Sequence, residues 1–590
     1  MYKETLYIVA YERIKSAPGN LTPGSDAQTI DGFSLNMIRA IIEEMRTEQF
    51  RFKPVRTVYI PKSNGKTRKL GIPSMRDKIV QEVMRMILEA IYDSPYGAYF
   101  TDTSHGFRPH RSCHSALQVI RDEWTAMNWF LEGDIQSCFD AIDHGVLVQL
   151  LRKKIKDERF LNLIWKLLRA GYLHLQEPRK DSLAGTPQGG LVSPLLANVY
   201  LHELDDKIAD IRAREERGST KATNPQYKRL TDRIYRLRKK GATNTPELRA
   251  LIQQRRTLPS VVVDDPNFIR IKYQRYADDW LVGICGPRRL AEQIKEELTT
   301  FLSERLHLTL SEEKTRITHA RTEEAHFLGT LISVRSAKEG AKIALTRNGS
   351  GHLIKRRSTG NELLLRAPIN QLLDKLHQRG FCTALGKSTA KGGWAALDAD
   401  QIVRLYSGIN RGIQNYYRFA DNFSRLNQIQ YILYISLIKT LAMKYRCTAS
   451  SIYRRFGKEL TIRMPKKKEG KEYYISFYLN HDWKKQRDGF QIGHLQIDLV
   501  QWTRRLYTRT KLGQACCVCN ATAQIEMHHV RHIRKIGGRK PTGFNVILQA
   551  LNRKQIPVCR SCHQRIHRGE YDQMRLSNLA YNPYASEKRK

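Results

Sequence analysis

From about residue 50 to 330, short apolar runs alternate with amphipathic stretches. "PVRTVYIPK" followed by "KLGIPS" reads as a β-hairpin, and "KIVQEVMRMILEAIY" repeats its apolar residues at helical spacing. In "WFLEGDIQSCFDAID" (129–143) a buried strand is expected to end at Asp134. A helix follows near Asp143 with Val146, Leu147, Leu150 and Leu151 inward. "FIRIKYQRYADDWLVGI" reads as strand, turn, strand, which puts Asp278 and Asp279 at a hairpin tip above a sheet. The mixture of periods 2 and 3.6 predicts an α+β architecture.

The flanks read differently. Residues 1 to 30 are short on pattern, with "SAPGNLTPGSD" (16–26) as a turn-rich loop ahead of a helix from about Leu35 to Met45. That start is abrupt, as if an element before it were missing. Residues 206–260 form a charge-dense insertion in which Tyr227, Leu230, Ile234 and Leu237 keep a helical stripe. It suits a solvated helical hairpin or a phosphate-binding arm equally. Residues 360–457 are mostly helical in pattern, and "MPKKKEGKEYY" (464–474) reads as a linker into a further basic segment. No repeat of fixed period occurs. The expected division is 1–30, 31–330, 331–457, 458–510, 511–575 and a basic tail 576–590.

Length and charge sharpen this outline. A chain of 590 residues is too long for one core. Its apolar stretches are broken by charge before the roughly 18 residues that span a bilayer, so a soluble protein is expected. The 100 Lys and Arg against 58 Asp and Glu leave a formal charge of +42. Self-repulsion on that scale calls for a polyanion. Basic residues spread along the chain and interleaved with Tyr favour nucleic acid over a membrane surface. "MYKETLYIVAYERIK" has neither the apolar core nor the cleavage site of a signal peptide, which argues against secretion.

Three groups of residues carry candidate chemistry. An isolated Asp-Asp pair would be a solvated turn. Asp134, 144 positions upstream of Asp278, changes that, because a carboxylate at a buried strand end costs several kcal/mol unless paired or metal-bound. Asp134 and Asp278 together predict a hard-cation site suited to Mg2+. Nearby, "AGTPQGGLVSPLLANVYLHELD" (184–205) sets Gly189-Gly190 before a helix expected to be capped by Ser193-Pro194. Lys62, Lys66, Arg68 and Lys69 border strands and could grip a triphosphate. "GFCTALGKST" (380–389) has five residues between its glycines and no preceding strand, and is rejected as an ATP loop. In the last 75 residues, Cys516-x-x-Cys519 and Cys559-x-x-Cys562 offer the four thiolates of a structural Zn2+ site, with Cys517 an alternative to Cys516. His528-His529 and His563-x-x-x-His567 exceed the needs of a zinc ribbon and suit a second metal.

Taken in order, "KTRKLGIPS", "SHGFRPHRSCHSAL", "EGDIQSCFDAID", "GTPQGGLVSPLLANVYLHELD", "RYADDWLVGI", "SEEKT" and "HFLG" resemble the reverse transcriptases encoded by group II introns, of the bacterial and mitochondrial-like class. The resemblance implies a right-hand fingers and palm, a helical thumb or maturase domain around "RGIQNYYRFADNF", and a basic DNA-binding segment. By it, Asp134 and Asp278 bind two Mg2+ ions and Asp279 assists. Phe139 excludes a ribose 2′-hydroxyl, Lys62 and Arg68 hold triphosphate, Gln188 and Gly189 lie at the incoming nucleotide, and Lys314 lies near the leaving group. "CCVCNATAQIEMHHV... IPVCRSCHQRIH" resembles an HNH endonuclease with a ββα-metal core. There His529 polarises water and His528, His563 and His567 bind Mg2+. One departure is Lys554, which stands where that family usually has Asn; Asn552 is a candidate substitute.

The resemblance therefore implies an RNA-dependent DNA polymerase, a splicing-assisting maturase and a DNA endonuclease that nicks a target strand to prime reverse transcription. The partners implied are intron RNA in a ribonucleoprotein, target double-stranded DNA and dNTPs, with no membrane, the chain acting as a monomer or dimer on RNA. The compartment implied is the bacterial cytoplasm, or alternatively a mitochondrial matrix or plastid. A splicing-only RNA-binding maturase, or an endonuclease with an idle polymerase, are the competing classes.

Overall fold

In the computed structural model the description covers the chain apart from residues 16–21, 62–66, 95–96, 98, 171, 175–176, 181–189, 242, 244, 259, 263–264, 336–342, 348–352, 358–361, 465–472, 485–488, 492–505, 508–509, 530–554, 572–577, 582 and 584–590. At its centre is a four-stranded antiparallel sheet in the order Arg270–Tyr276, Asp279–Cys285, Trp129–Asp134, Arg316–His319. The strand "DWLVGIC" is apolar without alternation because both of its faces are covered. Trp280, Val282 and Ile284 enter one hydrophobic cluster, while Leu281 and Cys285 enter another. Gly133 is required beside it: a Cβ there would lie 2.0 Å from the Trp280 ring.

The first cluster packs the helices Met75–Tyr92, His144–Arg152, Glu158–Leu168, Ser193–Glu215 and Arg288–Leu306 on one face of the sheet. The expected helix near Asp143 forms with that residue as its cap, Asp143 Oδ1 accepting from Val146 N at 2.8 Å. Ser193, expected to cap the next long helix, is instead its first residue. The cap position is Val192, and Pro194 fits the first turn because its missing N–H is not needed there. The hairpin Val55–Pro61 with Thr67–Ile72 belongs to a second four-stranded sheet with Tyr172–His174 and Glu177–Lys180.

The reading of residues 1 to 30 as short on pattern misses a helix, Glu4–Ile14. Its residues Tyr7 through Glu12 are all buried, so the segment has no polar face and leaves no helical period to detect. The insertion at 206–260 carries two helices, Pro225–Lys239 and Pro246–Thr257, closed over a small cluster of Ile234, Leu248 and Leu251. On the other face of the central sheet, the second cluster continues through the helices Ala399–Tyr416 and Leu426–Tyr445. A buried amide network joins them: Gln414 Nε2 donates to Asn410 Oδ1 at 2.9 Å, and Asn410 Nδ2 to Gln430 Oε1 at 3.1 Å. The last described unit pairs Ile525–His529 antiparallel with Gln555–Cys559, followed by the helix Arg560–Arg568.

Arg275 and Asp205, both fully buried, lock the central sheet to the helix Ser193–Glu215. Arg275 Nε and Nη2 donate to the two carboxylate oxygens at 2.7 and 2.6 Å. Removing one partner of such a pair strands a buried charge, at a cost of about 3–5 kcal/mol. Asp205→Asn is therefore expected to lower the opening free energy of the central strands by about that amount, measured by amide hydrogen exchange; unchanged protection of residues 270–285 would refute the assignment.

Candidate active sites

The hairpin tip is built as its sequence suggests. Tyr276 pairs with Asp279 across a two-residue turn of Ala277 and Asp278, and Asp279 pairs in turn with Asp134 on the neighbouring strand. Carboxylates far apart in the chain thus share one end of the sheet. Ala277 has φ +58°, a left-handed conformation costly for a residue with a Cβ. Its carbonyl accepts from Arg275 Nη1 at 3.1 Å, which helps to hold the turn. Gly106 backs the turn closely: a Cβ there would stand 2.4 Å from Ala277 N.

Lys314 reaches Asp134 Oδ2 with its Nζ at 2.6 Å, and Ser311 N donates to the Asp134 carbonyl at 2.8 Å. The hydrogen bond to Asp134, with the charges of the three acids behind it, raises the Lys314 ammonium above its ordinary value. Burial pushes Asp279 up to about 7. The Leu328 N–H pulls it down, while Asp134, Asp278 and Glu132 push it further up. A carboxyl that resists ionising beside two further acids makes a place suited to a divalent cation. The Leu328 carbonyl accepts from Tyr416 OH at 2.6 Å and that of Gly329 from Tyr417 OH at 2.8 Å, so the helical region bears directly on the acid site. Phe139 lies on the short helix Cys138–Ala141 with its ring centroid 6.4 Å from that of Phe107, which is itself 6.4 Å from Tyr276. Phe107 is half-exposed beside the acids and is a functional candidate that only its motif, "SHGFRPHRSCHSAL", could have flagged. Lys62, Lys66, Gln188 and Gly189 lie outside the described residues, as do the side chains of Arg68 and Lys69.

In the C-terminal unit the Sγ atoms of Cys516, Cys519, Cys559 and Cys562 lie within 4.8 Å of one another, with Cys519 and Cys559 3.6 Å apart. Sulfur edges in a tetrahedral zinc site with Zn–S near 2.3 Å are about 3.8 Å. Cys516 joins this group and Cys517 does not; burial pushes the Cys517 thiol up to about 12. Burial, together with the thiols of Cys559, Cys519 and Cys516, likewise pushes Cys562 up, a penalty that a bound cation would lift.

Beside it, His528, His563 and His567 converge with a fourth group, Asp31, their ligand atoms also within 4.8 Å. Asp31 carries no sequence signal for this place, because it lies some 500 residues away in a turn. His563 Nδ1 meets Glu526 Oε2 at 2.6 Å, which leaves Nε2 facing His567 Nε2 at 3.0 Å. His529 lies between Asp31, 3.2 Å from its Nδ1, and Gln555, whose Nε2 is 2.8 Å from its Nε2. Burial opposes ionisation of Asp31, but hydrogen bonds from His529 and His563 and the charge of His528 hold it far below the usual carboxylate range. Lys554 and Asn552 lie outside the described residues.

Three family models match the chain in series: "Reverse transcriptase (RNA-dependent DNA polymerase)" over residues 60–332, "Type II intron maturase" over 360–486 and "AI2M/AI1M-like, HNH endonuclease" over 516–563. The chain is 34% identical to the group II intron-encoded protein LtrA of Lactococcus lactis subsp. cremoris, across 96% of this chain and 94% of that one. It is 36% identical to the putative COX1/OXI3 intron 1 protein of Saccharomyces cerevisiae, across 96% of this chain and 68% of that one. A 91 kDa protein in the cob intron of Schizosaccharomyces pombe is 35% identical, across 96% and 69%.

A cation at the three acids competes with the proton on Asp279, since it binds the ionised form. Mn2+ affinity there is expected to fall by up to about tenfold per unit as pH drops below 7. Titration calorimetry at pH 6, 7 and 8 reads this, and the slope should vanish in Asp279→Asn; a slope shared by both chains would refute the competition.

Proposed function

The chain belongs to the group II intron-encoded reverse transcriptases, and from that premise we propose which residues perform its activities. Those activities are RNA-directed DNA polymerisation, maturase function and HNH endonuclease cleavage. In this reading residues 31–330 form fingers and palm, 331–457 the thumb and maturase domain, 458–510 a DNA-binding region, and 511–575 the endonuclease.

The observation that carries the polymerase assignment is the register that sets Asp134 opposite Asp279, with Asp278 in the adjoining turn. Asp134 and Asp278 would hold two Mg2+ ions and Asp279 would assist. Bound there, Mg2+ lowers the pKa of the primer 3′-hydroxyl and stabilises charge on the departing pyrophosphate. Around that site this chain's own side chains orient and exclude. Lys314 supplies a fixed ammonium beside Asp134, suited to a leaving phosphate. Phe139, packed near Phe107, excludes a ribose 2′-hydroxyl by bulk. Lys62, Arg68, Gln188 and Gly189 contact the incoming dNTP.

Cys516, Cys519, Cys559 and Cys562 would hold a structural Zn2+. His529 takes a proton from the attacking water, and His528, His563 and His567 would hold Mg2+ at the scissile phosphate. The nicked strand then primes copying of intron RNA, which makes intron RNA, target duplex DNA and dNTPs the partners. The charge of +42 supports a ribonucleoprotein. No helix among the described residues is long and apolar enough to cross a membrane. Bacterial cytoplasm is the proposed compartment, with an organelle as the alternative.

Primer extension on an RNA template tests the polymerase site. Asp278→Ala is expected to cut cDNA yield by more than about a hundredfold while splicing of the bound intron continues. A wild-type chain that splices but makes no cDNA would instead leave a splicing-only maturase. Metal analysis of the purified full chain tests the thiolates: about one Zn2+ per chain, lost in Cys516→Ser and kept in Cys517→Ser. The reverse pattern would reassign the ligand.

A further inference from the structure

The endonuclease histidines do not stand alone. Asp31 Oδ2 lies 3.3 Å from His563 Nε2 and 3.3 Å from His567 Nε2, and Oδ1 lies 3.6 Å from His528 Nδ1. Ligand atoms around a cation at bonds of about 2.0–2.2 Å are separated by about 2.8–3.1 Å at octahedral angles and about 3.3–3.6 Å at tetrahedral ones. The separations among Asp31, His563 and His567 are those of neighbouring ligands on one ion. We infer that Asp31 is the fourth protein ligand of the endonuclease metal centre, so that the centre is assembled from two parts of the chain and is complete only when they are docked. This rests on the endonuclease reading above and extends it.

The docking is built rather than incidental. Gly32 N donates to the Met527 carbonyl at 2.9 Å and Met527 N to the Phe33 carbonyl at 3.0 Å, which adds a bridge to the strand that bears His528 and His529. Gly32, at φ +84°, turns the chain so that Asp31 faces the imidazoles. Phe33 is buried and stacks on Tyr11 at 4.9 Å, and Tyr11 OH donates to Gln555 Oε1 at 2.5 Å. Met527 and Leu512 belong to the same hydrophobic cluster as the helices Glu4–Ile14 and Leu35–Arg46.

The chemistry agrees with the geometry. Three imidazole nitrogens form a borderline-soft donor set, and a Mg2+ or Mn2+ ion favours oxygen. Asp31 supplies that oxygen and one negative charge in a site where its side chain is only 9% exposed. Glu526 bonds the far nitrogen of His563 and so orients Nε2 inward, an outer-shell arrangement typical of metal-bound histidine. Four protein ligands on a six-coordinate ion leave two positions, enough for a phosphate oxygen and a water.

The test uses the full chain with Zn2+ loaded and Mn2+ as probe. Of the two sites proposed for Mg2+, the endonuclease site is the one whose described ligands include nitrogen, so 14N hyperfine coupling in the Mn2+ spectrum distinguishes it from an ion at the three acids. Asp31→Asn is expected to weaken the 14N-coupled Mn2+ by at least about tenfold and to slow nicking of target DNA, with zinc content unchanged as the control for folding. Mn2+ anomalous scattering from crystals of the wild-type chain should put an Asp31 oxygen within about 2.0–2.6 Å of the ion. A 14N-coupled Mn2+ lost in His563→Ala but of unchanged affinity in Asp31→Asn, or faster nicking by Asp31→Asn, overturns the inference alone. No 14N-coupled Mn2+ in the wild-type chain overturns the endonuclease metal centre, and the inference with it.

Discussion

A guanidinium buried without exposure is tolerable only if every N–H it carries finds an acceptor, and Arg275 meets that condition. Its five donors go to both oxygens of Asp205, to Asn198 Oδ1, to Ser104 Oγ and to the carbonyl of Ala277. Tyr273 OH adds a further hydrogen bond to Asp205 at 2.8 Å. One side chain thereby ties together a strand, the helix Ser193–Glu215, the segment that contains Gly106 and the turn that holds Asp278. The charge pair itself contributes little net stability, because desolvation offsets most of its attraction. What it contributes is position: those four elements can meet in this one arrangement and leave no donor unpaired. The acids at the sheet end inherit their placement from it.

The carboxylate site was legible because its signals are local. Two strand-like runs around a two-residue turn, and an apolar run ending in Asp134, need only a few neighbours to be read. Paired Cys-x-x-Cys spacings are similarly self-contained. What escaped depends on long-range contact. The helix Glu4–Ile14 shows no polar face because Tyr7 through Glu12 are all buried. Asp205 lies in a stretch quoted for its glycines, and its partner Arg275 adjoins the quoted "YADD", yet no spacing joins the two. Asp31 sits in a turn whose composition suggests solvent, and only the fold brings it to three histidines. Ser193, expected as a cap, missed by one position, within the ordinary uncertainty of a helix boundary.

The two faces of the central sheet have separate hydrophobic clusters but meet at Asp279. On one side of that residue the strand register fixes its neighbours. On the other, Tyr416 and Tyr417 grip the turn Leu328–Gly329, whose amide approaches the carboxylate. The region that matches the type II intron maturase model and the acids of the region that matches the reverse transcriptase model therefore share a hydrogen-bonded turn. A shift of the helix Ala399–Tyr416 would be felt at the acid within two contacts.

The bond from His529 N to Asp31 spans 498 positions. On a ribosome adding about 5–20 residues per second, its acceptor is made on the order of a minute before its donor. The strands of the sheet that holds Asp134 and Asp279 are all synthesised while the histidines are still unmade. The contact between Asp31 and the histidines therefore cannot form until the strand Ile525–His529 has been made.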